Sequence, residues 1–189
     1  MSKTNNKQKI LDAAQELIQK FGANGMSYNS ISKIVGISRA SIHHHFPTKE
    51  KLIEELLHSY SEFFFNKVDA ILHSQLKASE KLDEYISLFE LTLRGEEKIC
   101  LCGILGAELA TLDILAVEII RNFYRKNEDI LFKILDQGEK QNCISIVGDT
   151  KNTAALIFSL LEGAMVTSRA LGDINHFQKI VSQLKNLIK

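Results

Sequence analysis

The chain has 189 residues, 45% of them hydrophobic and 24% charged, which is enough to bury the core of one or two small domains. Three cysteines are an odd number and argue against a disulfide framework, and the C-x-C spacing of Cys100 and Cys102 disfavours zinc-ribbon and thioredoxin-like classes. We expect a cytoplasmic protein that does not enter a membrane. No apolar run reaches the roughly 18 residues that a bilayer span needs, and the polar start MSKTNNKQ is not a signal peptide.

The charge is distributed unevenly, although 23 basic and 23 acidic residues balance over the whole chain. Residues 1–49 hold seven basic and two acidic residues, a net charge of +5, and residues 50–189 carry −5. A basic N-terminal segment suits contact with phosphate. Chance asymmetry in a small sample would explain the same numbers.

Helical periodicity dominates, beginning with a first helix that stops before Gly22 and Gly25. Glycine is favoured just past a helix end. The apolar residues of this helix share one stripe, which we expect to face inward. They are Ile10, Ala13, Ala14, Leu17, Ile18 and Phe21.

Two short helices joined by a tight turn are predicted next. Ser27 is a good N-cap for a helix over 28–35, and Ser38 caps a third helix over 39–45. Gly36 occupies the turn between them, where a left-handed conformation costs glycine little. The inward residues of the second helix are expected to be Ile31, Ile34 and Val35.

Pro47 ends the third helix because proline cannot occupy a helix interior, and Thr48 caps a fourth helix from Lys49 to about His73. Its expected inward residues are Leu52, Leu56, Tyr60, Phe63 and Phe64. Later helices are predicted at 79–95, 100–112, 114–137, 150–171 and 175–188. Segment 143–148 has no partner strand and is interpreted as a loop. The predicted fold class is therefore all-α, with about nine helices.

The third helix has a face that its own core cannot use. Ile42 must point inward, so Ala40 and His44 lie about 160° away from it at 100° per residue. The second helix of a helix-turn-helix unit enters the major groove of DNA in this way. Arg39, in its first turn, can donate two hydrogen bonds to guanine, and Ala40 can contact a thymine methyl group.

Phosphate contacts are expected from Lys49 and the free amides at the start of the fourth helix, and from Tyr28. Three consecutive histidines also suggest a metal site, but successive helical positions diverge by 100° and cannot converge on one ion. We therefore expect no metal and no cofactor. An ordinary surface helix remains the alternative. The predicted DNA-binding residues are Ser27, Tyr28, Arg39, Ala40, Ser41, His43, His44, His45, Thr48 and Lys49.

The segment ILDAAQELIQKFGANGMSYNSISKIVGISRASIHHHFPTKEKLIEELL resembles the N-terminal domain of the TetR family of transcriptional regulators. The resemblance covers roughly residues 8–57. Two positions depart from the family pattern: His43 stands where a phosphate-contacting tyrosine is usual, and Ser32 stands where alanine is usual. The matching positions are Ile10 to Ala14, Phe21, Gly22, Ile31, Gly36, Ile37, Ser38, Ser41, Ile42, His45, Phe46, Lys49, Glu50 and Leu52.

The resemblance implies a helix-turn-helix DNA-binding domain over 1–49 and a larger helical ligand-binding and dimerisation domain over 50–189. It further implies a repressor that binds a palindromic double-stranded operator as a homodimer and is released by a small-molecule or reactive effector. In this family the last two helices build the dimer interface. The residues expected there are Leu156, Leu160, Gly163, Ala164 and Ala170, with Ile174, Phe177, Ile180, Val181, Leu184 and Leu187.

Effector candidates come from two features of the C-terminal part. The stretch ICLCGILGAEL resembles the GCLLG...E segment of a subset of TetR-like regulators, some of which sense electrophiles or oxidants through cysteine. This makes Cys100 and Cys102 candidate sensors, with small buried apolar residues as the alternative. A set of residues at helical spacing could line a pocket, although aromatic residues in such a pattern are more often core. The set is Phe89, Leu93, Phe123, Phe158, Glu162 and Met165.

Two other classes of function compete with a regulator. An enzyme is disfavoured because the chain has no glycine-rich phosphate loop, no H-E-x-x-H and no G-x-S-x-G motif. A helical adaptor that binds protein through the same fold is the other alternative. Affinity that falls steeply with salt would distinguish a DNA-binding protein from both.

Overall fold

The computed structural model describes residues 3–95 and 98–188, with side chains from residue 6 onward. Over these ranges it has nine α-helices, two short 3-10 helices and no strand, so the predicted all-α class is confirmed. The helices are α1 (Lys3–Phe21), α2 (Tyr28–Val35), α3 (Arg39–His45), α4 (Lys49–His73), α5 (Ala78–Arg94), α6 (Leu101–Ala107), α7 (Ile114–Lys140), α8 (Thr150–Leu171) and α9 (Ile174–Leu187). The 3-10 helices are Ala23–Gly25 and Leu109–Thr111.

The chain forms two compact units. The first contains the chain up to Glu62 together with Leu101–Arg121, and the second contains Phe63–Cys100 and the chain from Asn122 onward. The helices α4 and α7 contribute residues to both units. The sequence predicted a boundary between residues 49 and 50, which separates a DNA-binding domain from a ligand-binding and dimerisation domain. That boundary stays a prediction.

The first unit is built around the apolar faces of α1, α2 and α3. The side chains of Ile10, Ile18, Ile31, Ile42 and Phe46 are fully buried. Within this unit α1 packs against α2 and α6, and α2 packs against α3. The three-helix head therefore shares its core with α6, which follows it by more than fifty residues in the sequence.

The second unit has an aromatic core. Phe64 lies with its ring centroid 5.2 Å from that of Phe123 and 6.0 Å from that of Phe89. One buried polar pair is enclosed there: Tyr85 Oη donates to Asn127 Oδ1 at 2.6 Å, and Asn127 Nδ2 donates to the Phe123 carbonyl at 2.8 Å. Both polar side chains are thus paired, as burial requires.

Three expected inward residues are exposed instead: Phe21 by 67%, Ile34 by 54% and Phe63 by 62%. Phe21 is the last residue of α1, and Ile34 lies on the outer side of the short α2, whose one buried residue is Ile31. Along α4 the buried face follows Leu57, Phe65 and Val68, which leaves Phe63 outside.

The predicted helix over 100–112 was too long. The helix α6 ends at Ala107, and Glu108 adopts φ −109° and ψ 18° before the 3-10 helix begins. The amide of Glu108 donates to the Leu105 carbonyl at 3.1 Å, which tightens the chain and ends the regular helix. The other predicted helices agree with the observed ones to within a few residues, and residues 143–148 are not a strand, as predicted.

One helix of the described residues, α8, is long and apolar enough to cross a membrane by length and composition. In its most apolar window, 39% of the residues are buried inside the structure. The core helix of a globular protein meets the same criterion, so this feature is weak evidence for a membrane span.

The second unit also buries a carboxyl group. Glu162 is half-buried as a residue, but its Oε1 is buried and no described residue is placed to hydrogen-bond that atom. Burial, and then the neighbouring Cys100 thiol, raise the pKa of Glu162 well above its usual range. The folded protein therefore holds a proton on Glu162 at a pH where the unfolded chain has released it.

This proton makes stability depend on pH. Between the usual pKa of a carboxyl and the raised one, the folded state binds more protons than the unfolded state, so the free energy of unfolding falls as pH rises. We expect Glu162→Gln to reduce this fall, and Glu84→Gln, at an exposed residue of α5, to leave it unchanged. Thermal unfolding across the pH range measures the effect, and equal pH slopes for unmodified protein and Glu162→Gln would contradict it.

Candidate nucleic-acid interface

The helix-turn-helix forms because each end of α2 has a defined cap. The Ser27 side chain accepts from the Ser30 amide at 3.1 Å, and the Ser30 hydroxyl accepts from the Ser27 amide at 3.0 Å, a reciprocal capping box. At the other end Gly36 adopts φ 73° and ψ 32°, a left-handed conformation that favours glycine. The predicted caps Ser27 and Gly36 are confirmed.

Ser32, one of the two departures from the family pattern, stabilises the turn. Its hydroxyl donates to the Ile37 carbonyl at 2.6 Å. An alanine could not make this bond. Its sequence position alone gave no sign of the contact, because the acceptor is a backbone atom of the turn.

The helix α3 presents the face that the sequence predicted. Ile42 is fully buried, Ser38 caps the helix by accepting from the Ser41 amide at 3.1 Å, and Ser41 is half-buried. His45 is also half-buried, between the inner and the outer face. The exposed residues of α3 are Arg39, Ala40, His43 and His44.

Several predicted DNA-binding residues line one shallow groove of about 380 Å³ in the first unit. The groove gathers residues from the start of α2, from α3 and from the start of α4. Its lining residues are Ser27, Tyr28, Asn29, Arg39, His43 and Lys49. Because a cation and several hydrogen-bonding groups share it, the groove can hold a phosphate or the edge of a base.

The Tyr28 hydroxyl already has an acceptor inside the protein. It donates to the Phe46 carbonyl at 2.7 Å, and the Tyr28 and His43 ring centroids lie 4.5 Å apart, edge to face. Burial, and then the charge of Glu50, raise the pKa of Tyr28, so the phenol keeps its proton. The predicted phosphate contact of Tyr28 stays a prediction, and its only hydroxyl hydrogen is committed to Phe46.

The start of α4 is capped by Thr48, whose hydroxyl accepts from the Lys51 amide at 3.2 Å. The pKa of Glu50 is lowered by hydrogen bonds from its own amide and from Thr48. Lys49 Nζ donates to the Ala23 carbonyl at 2.6 Å. The sequence predicted a phosphate contact for Lys49 but not this bond, which uses one of its three ammonium hydrogens.

Sequence reasoning also missed Glu108, whose Oε2 accepts from the Ala23 amide at 3.0 Å. A separation of 85 residues hides this contact from any local pattern. Among the described residues, no three histidine, cysteine, aspartate or glutamate side chains are placed to share a metal ion.

The effector candidates are buried. Cys100 belongs to the second unit and Cys102 to the first, and their exposed fractions are 3% and 0%. The rings of Phe89 and Phe158 lie 6.3 Å apart within the second unit. The remaining candidates, Phe123 and Met165, are buried in the same unit.

A short helix with an exposed polar face, which follows a capped helix and a glycine turn, is typical of DNA-binding helix-turn-helix proteins. Comparison with known proteins identifies the family. Residues 10–56 match the family model for bacterial regulatory proteins of the tetR family. The structure of a TetR-family transcriptional regulator from Agrobacterium tumefaciens is 30% identical, with a TM-score of 0.95 over 100% of both chains.

Two further relatives have assigned roles. The nucleoid occlusion factor SlmA of Marinobacter nauticus is 26% identical over 137 residues, which is 72% of this chain and 70% of that protein. The transcriptional repressor NemR of Escherichia coli K12 is 20% identical over 184 residues, or 95% and 92% of the two chains.

The chain belongs to the TetR family of transcriptional regulators, as its sequence predicted. Members of this family bind DNA, dimerise and are generally not enzymes.

The Tyr28 bond supports a prediction about stability. Replacing Tyr28 with phenylalanine leaves the Phe46 carbonyl without its donor and should lower the free energy of unfolding by about 1 kcal/mol. Because the six-membered aromatic ring remains, packing against His43 is preserved. Denaturant unfolding monitored by circular dichroism measures the loss, and an unchanged unfolding midpoint would show that the bond contributes nothing.

Proposed function

We propose that this protein is a cytoplasmic transcriptional repressor that binds a palindromic operator as a homodimer and releases it when an effector binds. The observation that carries the DNA-binding part is the exposed face of α3 next to the groove that holds Arg39 and Lys49. The similarity to the repressor NemR supports repression.

In this proposal Arg39 and Ala40 read base edges in the major groove, while His43, His44 and Ser41 flank them. The capped start of α4, with Thr48 and Lys49, and the N-cap of α2, Ser27, meet phosphate. His45, which is half-buried, contributes least.

The proposed dimer forms through α8 and α9. The outer face of α8 exposes Leu156 by 63% and Leu171 by 65%, and α9 exposes Leu187 by 65%. Gly163 is exposed, and a Cβ placed there would meet no atom within 4 Å in the protomer. An apolar helix face with a glycine at its centre suits close approach of a second copy, and it is supported by the dimerisation of the family. Of the expected interface residues, Ala164, Phe177 and Leu184 are buried within the protomer.

The effector is proposed to act on the second unit, whose aromatic core includes Phe89, Phe123 and Phe158. An apolar or mixed small molecule fits such surroundings. Burial of Cys100 and Cys102 supports their interpretation as small apolar residues over that of sensors, since a reactive thiol needs access. Alkylation of the folded protein tests the sensor hypothesis, which fails if neither thiol reacts.

Arg39→Ala tests the reading face. We expect it to weaken binding to the preferred DNA by about 1–3 kcal/mol and to relax base preference, because the guanine contact is lost. Arg121→Ala removes an equal charge from another part of the first unit and serves as the control. Binding of both variants to a randomised duplex pool, followed by sequencing, gives affinity and preference together. Equal preference in the two variants would refute the assignment of Arg39.

Leu156→Glu tests the dimer. A charge on the proposed interface must be desolvated on association, so we expect a monomer by light scattering coupled to size-exclusion chromatography. Leu115→Glu, at a residue exposed by 57% in the first unit, should leave the dimer intact. A dimeric Leu156→Glu protein would place the interface elsewhere.

A further inference from the structure

Ala23 is hydrogen-bonded to a charged side chain through each of its two backbone polar groups. Its N–H donates to Glu108 Oε2 at 3.0 Å, and its carbonyl accepts from Lys49 Nζ at 2.6 Å. Ala23 is 3% exposed, so water cannot easily replace either partner. Both partners are charged, which makes these bonds stronger than bonds between neutral groups.

Ala23 lies in the turn that joins α1 to α2. The turn is short, with the Gly25 amide donating to the Gly22 carbonyl at 3.1 Å and the Met26 amide donating to the Ala23 carbonyl at 3.3 Å. Gly22 has φ +75°, and a Cβ there would overlap the Glu108 carboxylate. The carboxylate therefore sits directly against the turn that sets the direction in which α2 begins.

The backbone of Glu108 is itself fixed. Its amide donates to the Leu105 carbonyl at 3.1 Å, and its carbonyl accepts from the amide of Thr111 at 2.9 Å and from the hydroxyl of Thr111 at 2.8 Å. The preceding helix, α6, is anchored by buried Leu101, Cys102 and Leu105 and packs against α1. The position of the carboxylate thus follows the position of α6.

We propose that Glu108 is a positioning residue that couples α6 to the orientation of the DNA-reading helices, an inference that rests on the proposed function. A shift of α6 that withdraws the carboxylate leaves the buried Ala23 amide unpaired, which is unfavourable, so the turn moves with α6. The turn carries α2, and α3 follows α2 through the helix-turn-helix. Lys49 donates to the carbonyl of the same residue, so the start of α4 moves as well.

Electrostatics alone would give Glu108 the opposite effect. DNA is a polyanion, so removing a carboxylate from the first unit raises its affinity for any duplex. Loss of positioning instead lowers affinity for the preferred sequence and leaves binding to unrelated DNA unimpaired. The two effects therefore differ in sign on the preferred duplex.

The experiment uses a duplex that the unmodified full-length protein selects from a randomised pool, and one unrelated duplex, at a single salt concentration. Glu108→Ala should bind the selected duplex about tenfold more weakly, as the loss of one hydrogen bond to a charged group predicts. Glu108→Gln should retain most of the affinity because its amide oxygen can still accept. Glu108→Asp keeps the charge but is too short to reach, so it should lose affinity.

Glu118→Ala is the matched control, since Glu118 lies in the same unit and forms an ion pair with the exposed Arg121 nearby on α7. It should not weaken binding to the selected duplex. Exchange of the Ala23 amide hydrogen should become faster in Glu108→Ala and Glu108→Asp but not in Glu118→Ala.

Each outcome decides between the two proposals. If the unmodified protein selects no duplex, the proposed function fails and this inference fails with it. If a duplex is selected and Glu108→Ala binds it as tightly as Glu118→Ala does, the inference alone is overturned. If Glu108→Ala does not fold, the order of Glu108→Gln and Glu108→Asp decides: aspartate binding as well as or better than glutamine overturns the inference.

Discussion

The burial of Ile42 is the constraint on which the exposed face of α3, the proposed DNA-reading face, depends. The helix α3 has only seven residues, and a helix of two turns is not stable by itself in water. It persists because Ile42 is sealed beneath it, Ser38 caps its first turn and Phe46 is buried at its end. Once Ile42 faces inward, helical geometry leaves Arg39, Ala40, His43 and His44 facing outward.

The turns of the same unit share one way of pairing their backbone carbonyls. In each short connection one backbone carbonyl accepts a hydrogen bond from a side chain. Lys49 donates to Ala23 in the turn after α1, Ser32 donates to Ile37 in the turn after α2, and Tyr28 donates to Phe46 after α3. Each of the three turns is thus held by a hydrogen bond from a side chain to its backbone.

The helix ends of the first unit and the orientation of α3 could be predicted from the sequence because they depend on neighbouring residues. Helix ends follow from Ser27, Gly36, Ser38 and Pro47, whose effects reach only one turn of helix. The inward position of Ile42 follows from spacing alone. The exposure of Phe63 could not be predicted, because the buried face of α4 changes along its length and that depends on the elements packed against it.

The contacts that position the candidate site were beyond sequence reasoning for a different reason. The Ala23 amide is bonded to Glu108, 85 residues away, and its carbonyl to Lys49, 26 residues away. No periodic pattern links such distant positions. The break in the predicted helix at Glu108 was missed likewise, because the nearby Gly106 lies inside a helical pattern and a single glycine there does not by itself end a helix. The shape of the reading helix was therefore accessible from the sequence, whereas the means of orienting it required the structure.

Gly163 makes the helix α8 of the single chain less stable than an alanine at the same position would. Glycine inside a helix is about 1 kcal/mol less favourable than alanine, and the space around Gly163 would accept a methyl group without contact. Alanine would therefore make a more stable isolated chain. In the dimer that we propose, the same glycine would let the backbone of the second copy approach α8 more closely than an alanine side chain would allow.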